Sequence, residues 1–251
     1  MGAFPMTEKK NGRRDGARGG RKGFVPKGNR RYDRHDAFYR KAKEEGFLAR
    51  SVYKLQEIDR DFSLIRRADW VLDLGCAPGS WLQYAERKVR ENGGRLVGID
   101  LLPVRTSFGS HVKILEGDLY ETSVEDLMPP GTLAPRKDPT RPFDVVMSDM
   151  APNTTGIRSV DQARSMALAE HALELSATLL SPGGRFVVKI FEGGDFKAYL
   201  ERAKEIFRDV KVRRPKGTRV GSIETYVVGL GCRANSEAAA DDSTSEQEES
   251  P

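Results

Sequence analysis

The chain has 251 residues, with 42 lysines and arginines against 37 aspartates and glutamates, a formal charge of +5 and 38% apolar residues. That length fits a single α/β core with tails rather than two full domains, and the lack of any run of about 18 apolar residues excludes a spanning helix by the usual length criterion. Cys76 and Cys232 are too few for a disulfide framework or a four-ligand metal site, and His35, His111 and His171 stand far apart; neither a disulfide scaffold nor a metal centre is expected, and a reducing cytoplasm fits.

Residues 1–35 are crowded with basic side chains, among them Lys9, Lys10, Arg13, Arg14, Arg18 and Arg21, spaced by Gly and Asn. Such a stretch is too polar to bury a core and is expected to be disordered. It suits contact with RNA phosphates and equally suits a solubilising extension; it has no apolar segment of the secretory type. From Asp36 to Asp59 the spacing of Ala37, Phe38, Ala42, Phe47, Leu48, Val52, Tyr53, Leu55 and Ile58 predicts helix, broken near Gly46. Trp70 to Leu74 is a short apolar run that meets Gly75, and Ser80 to Arg90 follows with helical spacing of Trp81, Leu82, Tyr84, Ala85 and Val89. The pattern is strand, glycine turn, helix.

Arg95 to Ile99, ending at Asp100, and Val112 to Leu115, ending near Asp118, predict two further buried strands. Pro129, Pro130, Pro135, Pro139 and Pro142 mark an extended loop. A strand from Phe143 to Met147 then stops at Ser148-Asp149-Met150-Ala151-Pro152-Asn153. A long helix from about Asp161 to Leu180 is predicted to end at a Ser181-Pro-Gly-Gly184 turn before a strand from Arg185 to Phe191. A helix from Phe196 to Phe207 and strands near Val210–Val212 and Glu224–Leu230 close a domain spanning 36–232. Residues 233–251, rich in Ser, Glu, Asp and Ala, are expected to form an acidic disordered tail. Alternating strands and helices imply a mostly parallel sheet covered on both faces.

In open α/β sheets ligands settle at the carboxyl ends of the strands, and the residues with chemistry fall there. Gly75 and Gly79 lie in the first strand-to-helix turn, within Asp73-Leu-Gly-Cys-Ala-Pro-Gly-Ser-Trp81, where backbone without a side chain lets a ligand approach closely. Asp100 ends the second strand, placed to accept hydrogen bonds from the ribose hydroxyls of a nucleoside, and Asp118 follows the third strand, placed to receive an adenine amino group. NAD and S-adenosylmethionine both present an adenosine to this geometry. The dinucleotide fingerprint wants three glycines around a pyrophosphate; here Ala77 and Ser80 occupy the second and third positions and Pro78 lacks an amide hydrogen, which favours S-adenosylmethionine over an NAD-dependent oxidoreductase. Trp81 fits either a cofactor wall or the core.

Four ionisable residues remain. Lys189 sits between Val187-Val188 and Ile190-Phe191, where an unpaired lysine is costly. Lys54 lies on the early helix, where a solvated helix face is the alternative, Asp149 follows the fourth strand and Glu224 begins the last. A ribose hydroxyl must lose its proton as it attacks a sulfonium methyl. Lys189 can act as general base if a nearby cation such as Lys54 and a dry site favour its neutral form. Asp149 and Glu224 would orient the lysines, and Lys54 would also steady developing oxyanion character.

On these residues the chain resembles the FtsJ/RrmJ family, the ribosomal RNA large-subunit methyltransferase E group, over roughly Ala37 to Gly231. The family's Lys-Asp-Lys-Glu tetrad matches Lys54 within Arg50-Ser-Val-Tyr-Lys-Leu-Gln-Glu-Ile58, Asp149 within Ser-Asp-Met-Ala-Pro-Asn153, Lys189 within Val-Val-Lys-Ile-Phe-Glu192, and Glu224 within Ser-Ile-Glu-Thr-Tyr226. The resemblance implies a seven-stranded, mostly parallel Rossmann-like methyltransferase sheet with one antiparallel strand and helices on both faces. It implies an S-adenosyl-L-methionine site using Gly79, Trp81, Asp100, Asp118 and Asp149, with Lys189 as proton acceptor. It further implies a monomeric cytoplasmic enzyme that methylates the 2′-O-ribose of a uridine in the 23S ribosomal RNA of the large (50S) subunit, without metal or membrane. Ser80 where many relatives have glycine, a longer proline-rich loop and two charged tails depart from the family pattern. The loop and tails bear on substrate choice, transfer RNA being the alternative acceptor. A non-catalytic RNA-binding protein would account for the basic tail but not for Lys189 in its apolar strand.

Overall fold

A computed structural model describes residues 30–90, 93–129, 138–218 and 222–233. Of the tails expected to be disordered, 1–35 and 233–251, all but 30–35 and 233 lie outside these residues, as does the centre of the proline-rich loop. The helical pattern resolves into α1 (Arg30–Glu44), which begins six residues before Asp36, and α2 (Val52–Phe62). Gly46, with φ of 74°, stands in the break between them, a backbone conformation that glycine adopts without cost.

The strands are β1 (Trp70–Leu74), β2 (Arg95–Asp100), β3 (Val112–Glu116), β4 (Phe143–Ser148), β5 (Leu180–Phe191), β6 (Phe207–Arg213) and β7 (Glu224–Cys232), with helices α3 (Ser80–Val89), α4 (Arg158–Leu179) and α5 (Phe196–Ile206). They form one sheet in the order β3-β2-β1-β4-β5-β7-β6. β7 runs antiparallel to both β5 and β6, and the other pairings are parallel. This is the seven-stranded sheet with one reversed strand that the resemblance implies. β1 is buried along its whole length, so both of its faces are covered, as a central parallel strand requires.

Period-two alternation assigns the side chains to two cores. Leu72, Leu74, Val146 and Val188 pack with α4 and α5 residues such as Ala169, Leu173 and Tyr199. Val71, Val145, Met147, Val187, Tyr226 and Val228 face Leu55 and Ile58 of α2 and Trp81, Leu82 and Ala85 of α3. Continuing the second set toward the carboxyl ends of the parallel strands, and toward the amino end of the antiparallel β7, leads to Asp73, Asp149, Lys189 and Glu224. The sheet face therefore changes from apolar to ionisable in one step at its upper rim.

One expectation is corrected. The stretch from Ser181 to Gly184 is not a turn that ends α4 but part of β5, which starts at Leu180. The pairing shifts register between Phe143 opposite Leu180 and Val145 opposite Arg185, so the extra residues form an irregularity in the strand. Gly183, at φ of 82°, supplies the left-handed conformation there.

At the opposite rim, Arg185 is buried and its Nη2 pairs with Asp69 Oδ1 at 2.9 Å while its Nη1 donates to the Leu64 carbonyl at 2.7 Å. This clamp fixes the segment between α2 and β1 to the middle of the sheet.

Candidate active site

A cavity of about 400 Å³ opens at the carboxyl ends of β1, β2 and β3, within the size range of small-molecule sites. Gly75, Asp100, Asp118 and Asp149 line it. Gly75 has φ of 79°, and a Cβ there would come within 2.3 Å of Met150 Cγ, so only glycine lets the β1 turn pass beneath the loop after β4. Asp100 is locked in place: its Oδ2 accepts from Ala77 N at 2.9 Å and its Oδ1 from Leu102 N at 2.8 Å. Each oxygen retains a further lone pair for a ligand hydroxyl. Asp118 Oδ1 accepts from Tyr120 N at 3.0 Å, and Tyr120 also lines the cavity.

Gly79 and Trp81 are not lining residues of this cavity. Gly79 caps α3 with φ of 112°. Trp81 is 3% exposed, and its Nε1 donates to the Ser51 carbonyl at 3.1 Å. Trp81 thus packs in the core beside the cofactor turn, joined to the segment before α2.

The four ionisable residues come together as two ion pairs. Lys189 Nζ lies 3.0 Å from Asp149 Oδ1 and also donates to the Asp149 carbonyl. Lys54 Nζ pairs with Glu224 Oε1, with both side chains only about 15% exposed. A solvated helix face is therefore not the environment of Lys54. The sheet register explains the meeting, because Lys189 stands opposite Tyr226 and Phe191 opposite Glu224 across the β5–β7 ladder. Asp149 belongs both to the cavity wall and to the Lys189 pair, so it joins the two halves of the site.

Two residues that sequence reasoning passed over belong here. Tyr226 is fully buried, and its hydroxyl donates to Asp149 Oδ1 at 2.7 Å with Glu224 Oε1 at 3.4 Å. It links the two ion pairs. Burial first, then the charges of Asp149 and Glu224, push its phenol well above the ordinary range, which keeps it a donor. In the sequence it reads as a core aromatic, with no signal to set it apart. Phenylalanine at this position removes one hydrogen bond to a charged acceptor, of order 1.5–3 kcal/mol. Tyr226→Phe is expected to slow single-turnover methyl transfer roughly ten- to hundredfold with cofactor affinity nearly unchanged; an unaltered rate would remove Tyr226 from the machinery.

Asp73 is the second. It is 1% exposed, and neither carboxyl oxygen has a hydrogen-bond partner among the described residues. Burial first, then the charges of Asp149 and Asp100, raise its carboxyl well above the ordinary range. An acid inside Trp70-Val-Leu-Asp-Leu74 carried the same signal as Lys189. Above the ordinary carboxyl range the folded chain holds a proton that the unfolded chain has lost, so Asp73 erodes the stability of the ligand-free protein as pH rises from about 4. Asp73→Asn is expected to raise the thermal midpoint at pH 8 and leave it nearly unchanged at pH 4; a difference independent of pH would contradict this.

Among the described residues the cavity lining contains three acids and no Lys, Arg or His. A pyrophosphate would meet carboxylates without a neutralising cation, so the NAD reading loses further ground. A nucleoside bearing a sulfonium and an ammonium suits the same acids. The donor set fits S-adenosylmethionine.

Comparison with known proteins gives the same direction. The family model described as FtsJ-like methyltransferase matches residues 47–232. The chain is 44% identical over 201 residues to the ribosomal RNA large subunit methyltransferase E of Desulfatibacillum aliphaticivorans, covering 80% of this chain and 92% of that one. It is also 44% identical to the protein of the same name from Bdellovibrio bacteriovorus, covering 79% of this chain and 97% of the relative. Among solved structures, one from Plasmodium falciparum described as a ribosomal RNA methyltransferase superposes with a TM-score of 0.61 at 21% identity, over 75% of this chain and all of that one. At that identity the likeness concerns the fold.

Proposed function

The chain belongs to the FtsJ-like methyltransferase family and is an S-adenosylmethionine-dependent methyltransferase, and from this premise we propose that it methylates the 2′-hydroxyl of a uridine ribose in the 23S RNA of the large ribosomal subunit. The observation that carries the reading is the place of Asp149, shared between the cavity that suits the cofactor and the pair that holds Lys189. The name borne by the curated relatives supports the choice of RNA.

Each residue then has a task. Asp100 receives the ribose hydroxyls of the cofactor and Asp118 its adenine amino group, with Gly75 and Asp149 closing the wall. Gly79 and Trp81 hold the turn from behind. When bound, the cofactor supplies an electrophilic methyl on sulfur. Lys189 in its neutral form has two N–H groups, which match the Asp149 carbonyl and Oδ1, and one lone pair left for the target hydroxyl. It takes the hydroxyl proton as the oxygen attacks. Lys54, held by Glu224, lies near the Tyr226 ring and stabilises the oxygen as it becomes anionic. Water exclusion and alignment supply the rest, since the methyl donor is already activated.

The reading is tested by offering the purified chain labelled S-adenosylmethionine with unmodified large-subunit particles or with unmodified transfer RNA, and by measuring NAD binding alongside. Label in the large-subunit RNA alone is expected. Transfer RNA as the better acceptor, or NAD binding without S-adenosylmethionine binding, would replace it with one of the alternatives.

A further inference from the structure

A second basin, with a volume of about 600 Å³, lies away from the active site and is lined by Arg60, Arg66, Arg67, Arg87 and Lys88 over a floor that includes Asp59. Its place follows from the topology. Arg66 and Arg67 lie in the loop that leads into β1, and Arg87 and Lys88 fill the last turn of α3 before β2, so the basin sits at the amino ends of the strands. The active site sits at their carboxyl ends. The five residues of β1 separate the two by roughly 16 Å, and α2 joins them, with Lys54 in its first turn and Arg60 in its last.

The charges in this basin are only partly neutralised. Lys88 is paired with Asp59, and Arg60 with Asp61. Arg66 and Arg67 are exposed, and among the described residues neither side chain has a carboxylate partner. Arg87 is fixed without being neutralised: its guanidinium lies 4.1 Å from the centre of the Phe47 ring and Nη2 donates to the Glu45 carbonyl at 3.3 Å. Position at a helix carboxyl end accounts for Arg87 and Lys88, but Arg66 and Arg67 lie in a loop and gain nothing from a helix dipole. Like charges gathered around one hollow repel one another in the free protein, and that cost is relieved when an anion enters. Guanidinium forks match phosphate oxygens in pairs. A ligand that fills the basin while its reacting ribose occupies the active site must span about 15–20 Å with phosphates at both ends. A helical RNA does so with phosphates along its surface, whereas a fragment confined to the target nucleotide and its immediate neighbours does not.

We propose that the Arg66–Arg67–Arg87 basin is a second phosphate-backbone site, which grips a helical part of the RNA substrate remote from the nucleotide being methylated. The inference rests on the RNA reading above, and its test separates the two. Arg66→Glu with Arg67→Glu reverses two exposed charges that hold nothing in place. Binding of the large-subunit particle to the wild type and to this variant is measured in a salt series, independently of methyl transfer. The logarithmic salt slope is expected to flatten by about 1.5 to 2 for two lost phosphate contacts. KM for the particle should rise at least tenfold, with kcat retained and with a short RNA fragment containing the target nucleotide methylated as before. An unchanged slope and KM would overturn the basin as a contact, as would equal losses on particle and fragment, which mean a general defect. A flattened slope in a protein that transfers no methyl group would leave the basin standing and remove the proposed reaction.

Discussion

Lys189→Ala is expected to lower the single-turnover rate of methyl transfer by about a thousandfold, within the range typical of losing a positioned acid or base, while the dissociation constant of S-adenosylmethionine changes by less than about threefold. The two effects separate because the Lys189 nitrogen touches Asp149 from the side of the sheet, whereas the cavity is lined by Gly75, Asp100, Asp118 and the Asp149 loop. Asp149 keeps the Tyr226 hydroxyl as a partner when the lysine is removed, so it is not left bare. Lys189→Arg sharpens the result. A guanidinium preserves the charge but cannot accept a proton, so the arginine variant should be as slow as the alanine one. Substantial activity with arginine would mean that the residue acts only as a fixed positive charge. Rates under single turnover and cofactor titration by calorimetry read the two quantities separately.

The largest effect on stability is expected at the other rim. Arg185→Met leaves Asp69 buried with its carboxylate unpaired and the Leu64 carbonyl without its donor. Breaking a buried pair from one side costs about 3–5 kcal/mol, which for a domain of this size lowers the melting temperature by about 10 °C. Adding Asp69→Asn should recover part of the loss, since an amide needs no counter-ion. Burial already holds the Asp69 carboxyl above its ordinary range despite Arg185, and without that guanidinium nothing offsets the burial but the Arg66 amide. Because the clamp lies at the amino ends of the strands, kcat of the folded variant at low temperature should stay near that of the wild type. Thermal unfolding of the single and double variants measures the first effect, and turnover well below the melting temperature measures the second.

The fold was legible because both periodicities are strong. Buried runs such as Trp70–Leu74 and Val145–Met147 end at glycine or aspartate, and each is followed by a helical stripe such as Trp81, Leu82, Ala85 and Val89. The β5 start was misread because Ser-Pro-Gly-Gly is turn chemistry in isolation, and only the register shift against β4 shows those residues absorbed into a strand. Lys189 was legible as a charge in an apolar run. Asp73 had the same signature but was hidden by the glycine motif it precedes. Tyr226 carries no mark in the sequence, since its role arises from lying across the β5–β7 ladder from Lys189. The pairing of Lys54 with Glu224 joins residues 170 positions apart, and residue spacing holds no record of such a contact. The basic basin was equally hidden, because Arg60 with Arg66–Arg67 and Arg87–Lys88 are ordinary charges until the chain folds α2 beside α3.

The identity of the methylated atom tests the central chemistry most directly. Large-subunit RNA labelled by the purified chain from methyl-labelled S-adenosylmethionine is digested with alkali, which cleaves after a free 2′-hydroxyl and not after a methylated one. Label in an alkali-resistant dinucleotide, absent when Lys189→Ala is used, is the expected result. Label released in single nucleotides would place the methyl group on a base and contradict a site built around Lys189 to deprotonate a ribose hydroxyl.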